Sequence, residues 1–310
     1  MRSTRFTELV GCRLPLQQAP MGGIAGGPEL ATAVAGAGAH GMVAAATLSS
    51  VTLPAVLDAI PADLRGSCGV NFLVPFVDRE CVALAASRVG VVDFFYGVPD
   101  PTLVGLVHAG GALAGWQVGS AREARAAAGA GCDLVVAQGV EAGGHVRGGL
   151  GLLPLLAEVL AAVDLPVVAS GGIATARGVA AVLAAGAAGV RVGTRFIASR
   201  EADAHPRYVE ALLAAGGDDT VLTEAFSAGW PDAPHRVLRS CLDAAAALEA
   251  EVAGEAVHGG VHMPVPRWAT APPRRATSGH IRAMALYAGQ GVGGVQAVAP
   301  AAEIVAELTG

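Results

Sequence analysis

Eight short apolar runs, separated by alanine-rich segments with helical spacing, constrain the fold of this 310-residue chain more than any other feature. Each run is apolar on both faces rather than alternating, as expected of parallel strands that are covered by helices. The repeated strand and helix units predict an α/β fold, a (β/α)8 TIM barrel, with a doubly wound open sheet as the competing arrangement. The predicted strands occupy residues 14–21, 41–47, 67–76, 91–97, 112–118, 133–139, 165–172 and 189–196.

The chain continues well beyond the eighth predicted strand. Residues 203–217, 233–254 and 278–291 carry apolar positions three and four apart, which is the spacing of amphipathic helices. Residues 257–279 are rich in proline, glycine and arginine, and this composition predicts an irregular loop. The C-terminal part is therefore expected to be mainly helical.

This organisation predicts two units in one chain. A helical insert after the eighth strand is expected to form a cap, and the chain is expected to return and finish in helices that close the barrel. The predicted barrel comprises residues 1–200 and 276–310, and the predicted helical cap comprises residues 201–275.

Composition excludes several classes of partner. Only 15% of the residues are charged and the formal net charge is -6, so we expect no surface that tracks a nucleic-acid backbone. The apolar runs are shorter than the ~20 residues that a membrane span requires, so no membrane association is expected. The N-terminus has no apolar segment typical of an export signal, which predicts a cytoplasmic location. The oligomeric state is left open, with a homodimer as the candidate assembly.

The residue types also limit the chemistry. The chain has no lysine, which excludes Schiff-base catalysis and a Walker-type phosphate loop. Its five cysteines are an odd number without CxxC spacing, which argues against a disulfide framework and a zinc ribbon. His258 and His262 have the spacing of a helical zinc pair, but two glycines between them argue against a helix. We therefore predict no metal site.

Glycine recurs at the carboxyl ends of the predicted strands, where barrels place their reactive loops. Tight turns alone would require some of these glycines. Alternatively, glycine lets backbone N–H groups approach a flat or phosphorylated ligand. The segments "ASGGI" and "GTRF" follow the last two strands, where many barrels bind phosphate. The candidate phosphate donors are Gly171, Gly172, Gly193 and Thr194.

Five segments together resemble one enzyme family. These are "QAPMGGIAGG", "GVNFLVPF", "AQGVEAGGH", "PVVASGGIATARG" with the following "GVRVGTRF", and the late "YAGQGVG". The sequence is similar to the nitronate monooxygenases, formerly called 2-nitropropane dioxygenases, from about residue 13 to residue 295. The resemblance implies an FMN-dependent TIM barrel that oxidises alkyl nitronates or nitroalkanes with O2, without a metal, to carbonyl compounds and nitrite.

The resemblance also implies which residues contact FMN. Asn71, the only asparagine in the chain, would lie beside the pyrimidine or ribityl part, because its amide both donates and accepts. The implied cofactor-binding residues are Ala19, Pro20, Met21, Gly22, Asn71, Gln117, Gln138, Gly143, Gly144, Ser170, Gly171, Gly172, Gly193, Thr194, Gly289, Gln290 and Gly291.

His145 is the implied catalytic residue. An imidazole, which titrates near pH ~6.5, can remove the α-proton of a nitroalkane or stabilise the anionic nitronate. The glycines around it would let the loop bend so that the ring enters the pocket. The alternative is that His145 is a loop histidine without a role. Glu141 is expected to fix this loop or the imidazole.

The sequence leaves the roles of three residues undefined and allows two alternative functions. Residues 226–238 depart from the typical family pattern, so Trp230 and His235 are only candidates to line the substrate pocket. Asp93 has no assigned role. An enoyl-acyl carrier protein reductase, which uses FMN with NAD(P)H, is the main alternative function, although Gln138 favours the monooxygenase. A non-enzymatic flavin-binding or phosphate-binding barrel is the third.

Overall fold

The computed structural model describes residues 3–258 and 261–310, and eight parallel strands form its central sheet. The sheet order is β1-β9-β8-β6-β5-β4-β3-β2, and a parallel bridge between Gln17 and His40 brings its two edges together. The predicted TIM barrel is therefore confirmed. The barrel strands are β1 (Leu16–Gln18), β2 (Gly41–Ala44), β3 (Cys68–Leu73), β4 (Val91–Phe95), β5 (Leu113–Val118), β6 (Leu134–Gln138), β8 (Val167–Ser170) and β9 (Gly189–Val192), whereas β7 (Gly144–His145) lies outside this sheet.

Helices follow the strands and cover the barrel. Several begin at a capping side chain: Ser120 accepts from the N–H of Glu123, and Thr175 accepts from the N–H of Gly178. None of the helices in the described ranges is both long and apolar enough to cross a bilayer. The helices are α1 (Arg5–Val10), α2 (Pro28–Gly36), α3 (Leu53–Asp58), α4 (Arg79–Ala86), α5 (Pro101–Ala109), α6 (Ala121–Gly129), α7 (Leu152–Ala162), α8 (Ala176–Ala184), α9 (Thr194–Ile197), α10 (Pro206–Leu213), α11 (Arg239–Ala247) and α12 (Ala301–Thr309).

The C-terminal helix completes the barrel. Helix α12 comes after the insert in sequence, yet it packs against α2 and α8, which follow the first and seventh barrel strands along the chain. It buries Ile304, Val305 and Leu308 on one face. Because these apolar positions repeat three and four residues apart, one side of the helix can pack on the barrel. The expectation that the chain finishes in a helix closing the barrel is confirmed.

The barrel interior is layered along its axis. At the amino ends of the strands, Phe6 of α1 packs with Leu134, Val136 and Val168 in an apolar cluster. The next layer is polar, and it contains the buried side chains of Asp93 and Arg191. Since successive side chains of a strand point to opposite faces, residues two further along reach the carboxyl ends, where the candidate site lies.

The insert contains strands as well as helices. Besides α10 and α11, residues 201–275 form β10 (Thr220–Thr223), β11 (His235–Leu238), β12 (Val252–His258) and β13 (Val261–Pro266). β11 pairs with both β10 and β7, and β12 pairs with β13 and with the short β14 (Ser278–Gly279). Two antiparallel sheets therefore accompany the expected helices.

Three sequence expectations for this region are corrected. The irregular loop expected at 257–279 is wrong for β13, whose Pro264 and Pro266 are tolerated because β13 is an edge strand. The helix expected from residue 233 begins only at Arg239, because residues 235–238 pair with β7 and β10. Residues 278–291 form short 3-10 turns and extended chain rather than an α-helix, since the N–H of Ala288 donates to Arg236 across the insert.

Candidate active site

A cavity of about 430 Å³ lies at the carboxyl ends of the barrel strands. Its floor and walls come from the ends of the barrel strands and the loops that follow them, and its other side comes from the insert through residues such as Ala256, Val265 and Thr270. A volume of this size is in the range of ligand and cofactor pockets. The position is the one at which TIM barrels carry their active sites.

The structure brings most of the implied site residues into this cavity. Gln290 is the exception: its side chain is exposed, and only its backbone N–H contributes, by donating to the carbonyl of Glu141 at 2.9 Å. The implied residues that line the cavity are Ala19, Pro20, Met21, Gly22, Asn71, Gln117, Gln138, Gly143, Gly144, His145, Ser170, Gly171, Gly172, Gly193, Thr194, Gly289 and Gly291.

The loops after β8 and β9 present unused backbone donors. Gly171 and Gly172 have φ angles of 118° and 70°, a region that favours glycine, and they directly follow β8. The N–H groups of Gly171, Gly172 and Thr194 donate to no acceptor within 3–258 and 261–310. The Thr194 hydroxyl accepts from the N–H of Gly289 at 3.0 Å, which ties the late loop to the barrel. These donors suit an anionic group such as a phosphate.

Three amide side chains also line the cavity. Gln138 is the last residue of β6, Gln117 is the penultimate residue of β5, and Asn71 lies two residues before the last residue of β3. Each side chain is at least nine-tenths buried. Gln138 donates through its Nε2 to the carbonyl of His145 at 3.1 Å, which leaves its buried Oε1 without a partner in the described chain. A buried amide oxygen without a partner is costly, so it marks a position where a ligand donor fits.

The loop that carries His145 is held at several points. The Glu141 carboxylate accepts from the N–H of Leu152 at 2.9 Å, which fixes the loop to the first turn of α7. Arg236 donates to the carbonyl of Val140 at 2.9 Å. Gly144 has a φ of 75° and begins β7, where His145 pairs with His235 of β11. Of the two expected tasks for Glu141, the structure thus supports fixing the loop, and it records no hydrogen bond from Glu141 to the imidazole.

The His145 imidazole is enclosed by aromatic side chains. Its ring stacks on Trp230 with centroids 4.0 Å apart, and Tyr287 and His235 lie at 5.8 Å and 5.2 Å. Burial, with a smaller effect of His235, lowers the pKa of His145 to about 3. The ring is therefore neutral at neutral pH, with one nitrogen as donor and one as acceptor. Its Nε2 is buried and has no partner in the part of the chain that is described.

Comparison with known proteins places this site in a family. Residues 58–310 match the sequence profile described as nitronate monooxygenase. The chain belongs to the nitronate monooxygenase family. The resemblance seen in the sequence is thereby confirmed.

Relatives of this nitronate monooxygenase family member carry different oxidoreductase names. The (3aS,4S,5R,7aS)-5-hydroxy-7a-methyl-1-oxo-octahydro-1H-indene-4-carboxyl-CoA dehydrogenase of Rhodococcus jostii is 36% identical over 77% of this chain, which spans 66% of that protein's length. FabK from Thermotoga maritima has a TM-score of 0.78 at 28% identity, with 99% of this chain and 95% of that chain covered. A nitroalkane oxidase from Streptomyces ansochromogenes has a TM-score of 0.72 at 31% identity, with 98% and 96% covered.

Two residues at or beside the site of this nitronate monooxygenase family member, Tyr96 and Arg191, were not predicted from the sequence. Tyr96 follows β4 with a φ of 64°, and its ring lies 4.7 Å from that of Trp230. Arg191, in the middle of β9, reaches the cavity from below. The signal for Arg191 was a single charged residue in an otherwise apolar strand, matched by Asp93 in β4. Tyr96 had no comparable signal, because its backbone conformation depends on the folded loop.

No group of three or more histidine, cysteine, aspartate or glutamate side chains suited to a metal ion occurs among the described residues. The histidine pair considered in the sequence is only partly described: the side chain of His258 lies outside the described residues, as do Gly259 and Gly260. The ring of His262 is 2.5 Å from the carboxylate of Glu255, on the exposed surface of β13.

Proposed function

We propose that this protein is an FMN-dependent nitronate monooxygenase that converts alkyl nitronates, and nitroalkanes, with O2 to carbonyl compounds and nitrite. The observation that carries the proposal is the His145 imidazole, whose buried Nε2 has no partner in the described chain and which lines a glycine-rich cavity at the barrel mouth. Membership of the family and the likeness to a nitroalkane oxidase support this substrate class.

The residues that line the cavity fit FMN. The free N–H groups of Gly171, Gly172 and Thr194 suit the phosphate, and no lysine is needed there because backbone amides can bind a dianion. Asn71, Gln117 and Gln138, which line the same cavity, offer amide groups that suit the polar edge of the isoalloxazine ring. When bound, FMN supplies redox chemistry that side chains cannot provide.

His145 would handle the proton of the substrate. A neutral imidazole can accept the α-proton of a nitroalkane, or it can donate a hydrogen bond to a nitronate oxygen, depending on the tautomer. Trp230, Tyr287 and His235 pack around the ring and reduce its contact with water. A negatively charged nitronate beside the imidazole would raise its pKa and so favour the proton-holding form.

The insert would control access to this site. We propose the division into a barrel of residues 1–200 and 276–310 and a cap of residues 201–275. Ala256 and Val265 of the cap line the cavity, and so does Trp230, which covers His145. Substrates would therefore meet cap residues before they reach the barrel loops.

The proposal is tested with purified protein loaded with FMN. We expect oxygen uptake and nitrite release with propionate 3-nitronate, and slower turnover with neutral nitroalkanes, which must first lose a proton. FMN binding without oxygen uptake or nitrite release on either substrate would overturn the proposed reaction.

An acyl thioester oxidoreductase is the second candidate. The 36% identity to a carboxyl-CoA dehydrogenase favours it. Anaerobic bleaching of the flavin by an acyl-CoA, or NAD(P)H consumption with a crotonyl thioester, would identify this activity. Turnover of a thioester faster than of any nitronate would replace the first proposal with this one.

A further inference from the structure

A buried ion pair lies directly beneath the cavity. Arg191 of β9 and Asp93 of β4 contact each other through a guanidinium Nη2 and a carboxylate oxygen, and their side chains are 1% and 0% exposed. Neither residue belongs to the site implied by the sequence. Buried charges are costly unless they are paired and hydrogen-bonded, and replacing such pairs by apolar residues is often neutral for stability. A contribution to stability alone therefore does not explain why this pair is present.

Arg191 determines how Gln117 is oriented. Its Nη1 donates to Oε1 of Gln117 at 2.8 Å, and its Nε donates to Oε1 of Gln17 at 2.7 Å. A guanidinium has donors only, so Gln117 must turn its oxygen toward Arg191 and its NH2 group away. The Nε2 of Gln117 has no partner among the described residues, and Gln117 lines the cavity.

Asp93 orients Asn71 in the opposite sense. The Nδ2 of Asn71 donates to Oδ1 of Asp93 at 2.7 Å. An ionised carboxylate only accepts, so Asn71 must turn its NH2 group toward Asp93 and its oxygen away. The Oδ1 of Asn71 has no partner in 3–258 or 261–310, and Asn71 lines the same cavity.

We propose that the Arg191–Asp93 pair is a positioning device that fixes the polarity of two cavity amides, with Gln117 held as a donor and Asn71 held as an acceptor. A ligand edge with a carbonyl oxygen near an N–H group complements this arrangement. The inference rests on the proposed function, because the imide edge of the isoalloxazine ring carries such groups. An amide without these partners could flip and present the opposite pattern.

The wild-type protein should discriminate between two flavins that differ only at the imide N–H. FMN and N3-methyl-FMN, which lacks the imide N–H, are titrated against protein from which the flavin has been removed, with flavin fluorescence as the readout. We expect N3-methyl-FMN to bind about tenfold or more weakly, since the buried Asn71 oxygen then loses its partner. Equal affinity would overturn the inference while leaving the proposed FMN binding intact. Failure to bind FMN at all would overturn both.

An isosteric variant separates positioning from a structural role. Gln117→Glu keeps an oxygen toward Arg191 but removes the NH2 donor from the cavity. We expect about tenfold or more weaker FMN binding and an upfield shift of one carbonyl carbon of [2,4-13C]FMN, with the melting temperature retained. The matched control is Gln296→Glu, whose exposed side chain donates only to the carbonyl of Gly293. An unchanged affinity and carbonyl shift in Gln117→Glu would overturn the proposal.

Removing both charges together tests the pair itself. The double variant Asp93→Leu with Arg191→Met leaves no unpaired buried charge, so it is expected to fold. If the pair fixes the amides, discrimination between FMN and N3-methyl-FMN should fall to about twofold or less. Discrimination that stays as in the wild type would show that the pair has only a structural role. If the double variant does not fold, the wild-type titration and the Gln117→Glu variant still test whether the cavity amides have the proposed polarity.

Discussion

The imidazole of His145 and the indole of Trp230 stack with their centroids 4.0 Å apart and their planes 25° apart. One residue comes from the loop after β6 and the other from the insert, so the stack joins the barrel to the segment that covers it. Phe76 and Tyr96 contact the other sides of Trp230. The burial of His145, and hence its lowered pKa, depends on this contact.

Replacing Trp230 by alanine should let water reach the imidazole. Because burial is the main cause of the lowered pKa of His145, its pKa should rise from about 3 toward its ordinary value of 6.5. An NMR titration from roughly pH 5 to pH 8 should show His145 titrating in the variant but not in the wild type. Val51→Ala, at a position that is 83% exposed, is the control. A titration curve in Trp230→Ala that remains flat would contradict this explanation.

Replacing His145 by alanine separates two roles of the imidazole. If it removes the α-proton, turnover of neutral nitroalkanes should fall by ~2 to 4 powers of ten, while preformed nitronates should be affected much less. Steady-state oxygen uptake on both forms of one compound measures this directly. An equal loss on both forms would instead assign His145 to binding of the anion.

Two glycines of the loop that carries His145 make a matched pair. A Cβ at Gly143 would lie 2.5 Å from the backbone N of Gly289 and 2.6 Å from the carbonyl carbon of Ala288, whereas a Cβ at Gly149 would meet nothing within 4 Å. Gly143→Ala should therefore lower the free energy of unfolding by about 1–3 kcal/mol and weaken FMN binding. Gly149→Ala should change neither. Chemical denaturation and FMN titration test both variants, and similar effects in the two would contradict the predicted close approach.

Acid should destabilise the barrel through His40. Burial, and secondarily the charge of Arg191, lowers the pKa of His40 to about 3. Below pH 6.5 the unfolded chain binds a proton that the folded chain does not, so stability should fall as the pH drops from 6.5 toward 3. His40→Asn keeps an acceptor for Gln17 and should reduce this slope by up to ~1.4 kcal/mol per pH unit. Urea unfolding at several pH values measures the slope, and an unchanged slope would contradict the assignment.

The barrel could be predicted because its signal is local. Each strand is an apolar run, most of the runs end at glycine or proline, and all eight were found, although their ends were extended: residues 74–76 form a 3-10 turn rather than the end of β3. The insert was harder to predict. β11 is a strand because it pairs with β7, about ninety residues earlier in the chain, and helical spacing in 233–254 gave no sign of that pairing.

For the site as well, residues in local motifs could be predicted, whereas neighbours from distant segments could not. Glycines and amides at strand ends were identified from motifs, and the structure brings all but Gln290 of the implied residues into one cavity. The neighbours of His145 come from distant segments, so Tyr96 and Tyr287 could not be placed from the sequence. Asp93 had no assigned role until its partner Arg191 was visible across the barrel.

We expect the cavity at the barrel mouth to hold FMN. The visible absorbance of the purified protein, together with the identity of the chromophore released on denaturation, measures this. If the cavity holds FMN, the protein is yellow and releases FMN at close to one molecule per chain, or a colourless preparation gains the flavin spectrum when FMN is added. A colourless protein that takes up no FMN would contradict it.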